Sequence, residues 1–95
     1  MNSQRLITFL CANPCVFYWE VSEFYKIDQG VAAQAKDNHL LKITFNPYKG
    51  FQVLLSHQGK LRKKPVKRVS SVTPFDLHDV ISNVLALINH NNKAA

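Results

Sequence analysis

The stretch His39-Leu-Leu-Lys-Ile-Thr-Phe-Asn-Pro-Tyr-Lys-Gly-Phe-Gln-Val-Leu-Leu-Ser-His57 decides the fold. Asn46 to Gly50 is rich in turn formers and separates two apolar alternations, which is the pattern of a β-hairpin. Pairing Phe45 with Phe51 sets Ile43 opposite Val53 and Leu41 opposite Leu55. All six residues then share one face. Lys42, Thr44 and Gln52 fall on the other face, with Leu54 as the misfit. A slip of one residue sets Ile43 against Leu54 and Phe45 against Gln52 and spoils the apolar face, so the hydrophobic pattern specifies the register. The same register places His39 opposite His57 at the end of the inner face. Two facing imidazoles can hold a metal or share a proton, but such a pair is more often partly buried ring surface near a turn.

Outward from the hairpin, turn signals recur at Asp28-Gln29-Gly30, Lys36-Asp37-Asn38 and His57-Gln58-Gly59. Spacing of about 8 to 12 residues between such signals predicts an antiparallel meander, here of three to five strands. Residues 16–27 are ambiguous. Phe17, Trp19, Val21, Tyr25 and Ile27 alternate as a strand does, whereas Phe17, Val21, Phe24 and Tyr25 make a helical stripe. The aromatic density favours the strand, because bulky side chains suit a pleated surface.

A short N-terminal helix is expected over residues 3–11, with Ser3 as N-cap, Leu6, Phe9 and Leu10 on one face, and Asn13-Pro14 as the stop. The last helix is the most strongly signalled element. Thr73 reads as its N-cap, Pro74 as its first residue, and Asp76 and Asp79 suit the positive end of its dipole. Phe75, Leu77, Val80, Ile81, Val84, Leu85 and Ile88 form one broad apolar face. The expectation is therefore one α+β domain over residues 1–95. An antiparallel β-meander is covered by the C-terminal amphipathic helix, and a short helix precedes it.

Charge is concentrated in one place. The chain has 12 Lys and Arg against 6 Asp and Glu, for a net charge of +6. Lys60, Arg62, Lys63, Lys64, Lys67 and Arg68 lie within nine residues. The remaining six cations (Arg5, Lys26, Lys36, Lys42, Lys49 and Lys93) balance the six acids, so the whole net charge belongs to that run. A local positive field attracts polyanions and speeds encounter with them. The bland explanation is an edge strand that carries lysine and proline to repel other strands, and Pro65 sits inside the run.

Other chemistries find little support. Cys11 and Cys15 read as reduced thiols partly in the core, because a zinc site needs about four ligands. The sequence holds no Gly-rich phosphate loop, no H-E-x-x-H and no nucleophile elbow. His78 beside Asp79 is a helix-surface pair, not a base with its orienter. No enzyme activity and no cofactor are expected. The uncharged stretch Leu6 to Trp19 falls short of the ~20 apolar residues of a spanning helix and lacks a signal-peptide cleavage site. No membrane partner and a cytoplasmic location are expected.

From Leu40 to Ile88 the order is strand, turn, strand, turn, basic strand, capped helix. Its wording from Asn46 is N-P-Y-K-G-F-Q-V-L-L-S-H-Q-G-K-L-R-K-K-P-V-K-R-V-S-S-V-T-P-F-D-L. This resembles the single-stranded-DNA-binding core of the positive cofactor four (whirly-like) coactivator family. The shared features are a Lys-Gly turn before an apolar strand, a Gly-Lys turn into a basic loop, and a capped helix. The resemblance implies a homodimer that grips single strands with sheet and loop cations. Lys60, Arg62, Lys63 and Lys64 would be the loop cations, and Lys67 and Arg68 would flank the last strand. The chain departs from the family in having Pro65 and Val66 among the cations, no glycine after Gly59, and a first thirty residues without counterpart.

Two functions are expected from these residues. The first is a small basic protein, regulatory in role, that binds nucleic acid, most readily single-stranded DNA or RNA. The basic run would neutralise phosphates, with Lys49 adding to it, and Tyr48, Tyr18 or Tyr25 would stack on bases. The alternative is an interaction protein of the phage or mobile-element type that docks on a larger host complex. Phe17, Tyr18, Trp19, Phe24 and Tyr25 would be its anchors, and the cations would face an acidic protein surface.

Overall fold

The computed structural model describes residues 2–58 and 63–94, with the backbone alone for 63–64 and 89–94. The elements run α1 (Ser3–Cys11), a short 3-10 helix (Pro14–Tyr18), β1 (Tyr25–Ile27), β2 (Gly30–Ala35), β3 (His39–Asn46), β4 (Gly50–Gln58), β5 (Lys63–Val72) and α2 (Leu77–Ala94). The five strands form one antiparallel sheet in sequence order, so the α+β meander with a helix at each end is the observed architecture.

The central hairpin has the register that its apolar pattern demands. Phe45 pairs with Phe51, Ile43 with Val53, Leu41 with Leu55, and His39 with His57. Its turn explains itself residue by residue. The Asn46 side chain accepts from the N–H groups of Tyr48 and Lys49, and its carbonyl accepts from Lys49. Pro47 suits the first central position of such a turn, and Gly50 takes φ +83° to close it.

Both helices pack on the same side of the sheet. The core joins Leu6 and Leu10 of α1, Val31, Leu41, Ile43, Phe51, Val53 and Leu55 of the strands, and Leu77, Ile81, Val84, Leu85 and Ile88 of α2. Trp19 seals the space between the helices, since its Nε1 donates to Ser82 Oγ at 2.8 Å. Nearby, His78 Nε2 lies 3.3 Å from the Leu10 carbonyl, a bond in which the ring nitrogen donates.

Four local expectations are corrected. Residues 16–27 are not one strand. Val16 to Tyr18 finish the 3-10 helix, and only Tyr25–Ile27 joins the sheet. The intervening chain is tied to the β2 edge through Ser22, whose N–H donates to the Gln34 carbonyl and whose Oγ accepts from the Gln34 N–H. Asn2, not Ser3, caps α1, because its Oδ1 accepts from the Arg5 N–H; the Ser3 hydroxyl instead donates to the Gly30 carbonyl at 2.7 Å. Cys11 is exposed and Cys15 is half-buried, so only the second thiol belongs to the core margin.

The fourth correction concerns α2. It begins at Leu77, and the first bond of its ladder runs from the Val80 N–H to the Asp76 carbonyl. Asp76 therefore holds the cap position. Thr73 and Pro74 form a preceding turn in which the Thr73 hydroxyl donates to Asp76 Oδ2 at 3.1 Å. Phe75 leaves the apolar face altogether and is 94% exposed. Asp76→Ala removes the acceptor of the Thr73 bond and a negative charge from the positive end of the helix dipole, and should cost up to about 1 kcal/mol. Thr73→Ala should cost less, because its bond is exposed. Paired denaturant melts check the order of the two.

Candidate nucleic-acid interface

Residues paired across an antiparallel sheet point to the same side. Val31, Ile43, Val53 and Val69 are linked in register and face the helices. The next row, Tyr25, Ala32, Lys42, Leu54 and Arg68, therefore faces away from them. It crosses all five strands, a width of about 19 Å at ~4.8 Å per gap. Gln34, Leu40 and Ser56 form a second row, and Gly30, Thr44 and Gln52 a third.

None of the six acids belongs to these rows. Glu20 and Glu23 belong to the segment after the 3-10 helix, Asp28 and Asp37 to turns, and Asp76 and Asp79 to the start of α2. Glu20 is paired with Lys36, which removes one cation of the helix side from play. Ala32, Leu40 and Ser56 in these rows are buried. Lys42, Thr44, Gln52 and Leu54 are half-exposed, Tyr25 is 50% exposed, and Arg68 is exposed. The exposed or half-exposed groups of these rows are thus two cations, one aromatic ring and several amide or hydroxyl groups.

The six clustered cations divide. Lys60 and Arg62 lie outside the described residues. Lys63 and Lys64 have backbone positions on β5, opposite Gln58 and His57. Lys67 pairs with Leu55 and Arg68 with Leu54, so sheet alternation sends Lys67 to the helix side and Arg68 to the open face. Both are exposed.

Tyr48 and Lys49 do not join this group. They occupy the β3–β4 turn, separated from Gln58 by the length of β4, about 27 Å at ~3.3–3.4 Å per residue. Tyr48 is 95% exposed there. Lys42 is the residue that sequence reasoning passed over. Extending the pairing from the central hairpin to β2 and β5 would have found it in the row that holds Tyr25 and Arg68.

The other candidate chemistries take definite positions. The His39 ring is buried and its Nδ1 lies 2.9 Å from the Lys36 carbonyl, so that nitrogen carries the proton. The His57 ring meets it edge to face at 4.9 Å. Among the described residues no group of three or more His, Cys, Asp or Glu is placed to hold a metal. Of the proposed protein-docking anchors, Trp19 is in the core and Phe24 packs edge-on against it, whereas Phe17 and Tyr18 are exposed. Among the described residues no helix is long and apolar enough to cross a membrane. The chain matches no family model, no curated protein and no solved structure.

Proposed function

We propose that this protein binds single-stranded nucleic acid across the open face of its sheet. The observation that supports the reading most is the row Tyr25, Lys42 and Arg68, which none of the six acids joins. Phosphates would be neutralised by Lys42, Arg68 and the remainder of the basic run, and the Tyr25 ring would stack on a base. An exposed ring on a flat face suits an unpaired base, whereas a duplex keeps its bases stacked inside.

The test is a titration with an oligothymidylate and with a duplex of equal length, repeated across a range of salt. The parent protein should prefer the single strand, and the logarithm of its affinity should fall linearly with that of salt. Lys42→Glu/Arg68→Glu should weaken binding strongly and reduce the slope by roughly 1.4 units, at ~0.7 unit per phosphate contact. Arg5→Glu/Lys26→Glu makes the same charge change off the open face and should cost much less. Tyr25→Ala should cost about 1–3 kcal/mol of affinity. Equal losses from the two double variants would mean diffuse attraction without a site. Absence of binding by the parent at about 50 mM salt ends the reading in favour of protein docking, with Phe17 and Phe75 as the exposed anchors.

A further inference from the structure

β5 closes the strand order, and among the described residues no strand pairs with its outer edge. Between this edge and α2 runs a groove of about 310 Å³, lined by Lys67, Val69, Val80, Asn83, Val84 and Leu87. Val69 and Val80 are only partly buried although they pack against the core. The margin of the core is therefore accessible along this groove. β5 contains four cations and no acid, and the groove lining contains none either.

We propose that an extended segment of another protein adds to β5 as a further strand, seating one apolar side chain in this groove beside acidic neighbours. Strand addition draws affinity from main-chain hydrogen bonds and specificity from alternate side chains. The three central residues of the occupant follow from the alternation of β5. The residue level with Val69 points into the groove and is apolar. The next is level with Arg68 on the open face and is acidic. The third is level with Lys67 on the groove side and is acidic too.

The usable edge is short. Pro65 has no N–H to offer, and Ser71 has φ +58°, so the regular part lies between them. Lysine and proline on an edge ordinarily repel other strands. Here the repulsion depends on the sign of the incomer's charge. A second copy of the chain is a poor occupant, because β5 against β5 brings Lys63, Lys64, Lys67 and Arg68 together twice. The inference does not rest on nucleic-acid binding, although Arg68 would serve both; the methylated peptide separates strand pairing from attraction of polyanions.

Three blocked ten-residue peptides test it by NMR titration of the whole chain. One alternates Thr and Val around a central Val-Glu-Glu. The second replaces that centre with Val-Lys-Lys. The third is the acidic peptide with alternate backbone nitrogens methylated, which keeps its charge but prevents pairing. The acidic peptide should bind at least roughly tenfold tighter than either of the others, a gap of the size that electrostatic register and strand hydrogen bonds supply. It should also slow amide exchange within residues 66–70. Lys67→Glu/Arg68→Glu should invert the preference towards the lysine peptide; if that variant does not fold, the three peptides on the parent protein decide alone. Equal binding of the methylated and unmethylated acidic peptides would show mere attraction of polyanions and overturn the proposal. So would unchanged exchange at 66–70, or no binding of the acidic peptide at millimolar concentration.

Discussion

Phe51→Ala is expected to lower the free energy of unfolding by about 3–5 kcal/mol. Phe51 is among the largest fully buried side chains, and it sits where β4 meets β3 and β5. Its ring lies 5.0 Å from that of Phe45 at a tilt of 54°. Truncation removes the apolar area of a whole ring and leaves a cavity that the paired strands cannot close without breaking their ladder. Phe45 is half-exposed, so Phe45→Ala should cost less. In a domain of this size each kcal/mol moves the melting temperature by roughly 4–8 °C, which makes the difference easy to read. Thermal and denaturant melts of both variants check it; equal losses would mean that the shared face is not the inner one at its Phe45–Phe51 end.

Gly30→Ala is expected to destabilise by about 3 kcal/mol, at the upper end of overpacking costs. A methyl group at Gly30 would stand 2.1 Å from the Ile43 carbonyl oxygen and 2.8 Å from the Thr44 Cα. Both obstacles are backbone, so no side-chain rotation relieves them. β2 must move away from β3 at the start of their ladder, where Gly30 pairs with Thr44. That movement also pulls on α1, which is anchored by Ser3 to the Gly30 carbonyl. The consequence should appear in denaturant melts and in loss of protection for amides at the start of β2. A cost below about 1 kcal/mol would mean that the two strands part freely there.

The parts of the fold legible from sequence are those where one physical term dominates. In the central hairpin, burial on one face and a turn with Asn, Pro and Gly at fitting positions agree, and the register follows. The same holds for the amphipathic face of α2 from Leu77 to Ile88. Residues 16–27 failed because their aromatics have different destinations. Trp19 enters the core, Phe17 and Tyr18 stay in solvent, and Tyr25 joins an edge strand, so no single period describes them. The caps were misplaced for a related reason. Asn2 and Ser3, and likewise Thr73 and Asp76 three residues apart, are residues of types that cap well, and other hydrogen bonds choose between them. Ser3 is drawn away to Gly30, and Thr73 donates to Asp76.

The candidate site was legible only as charge. A run of cations in sequence becomes two surfaces in a strand, because Lys67 and Arg68 point to opposite sides of the sheet. The hairpin register alone puts Lys42 on the outer face, and Tyr25 was a stacking candidate by residue type. That the two share a row with Arg68 follows only from the registers of β1 with β2, β2 with β3 and β4 with β5, which local patterns do not specify.

The hydrogen bond between Trp19 and Ser82 joins residues 63 positions apart, whereas every strand pairs with its immediate successor. A meander can assemble by successive hairpin closures over short loops, and local pairing favours rapid folding. Docking of the two helices through Trp19 brings together the ends of the chain and carries the greater loop-closure cost. Because the chain has a single tryptophan, its fluorescence reports that last event alone. Stopped-flow refolding followed by Trp19 emission should therefore lag behind the far-ultraviolet circular dichroism of the sheet, or coincide with it if the whole molecule crosses one barrier.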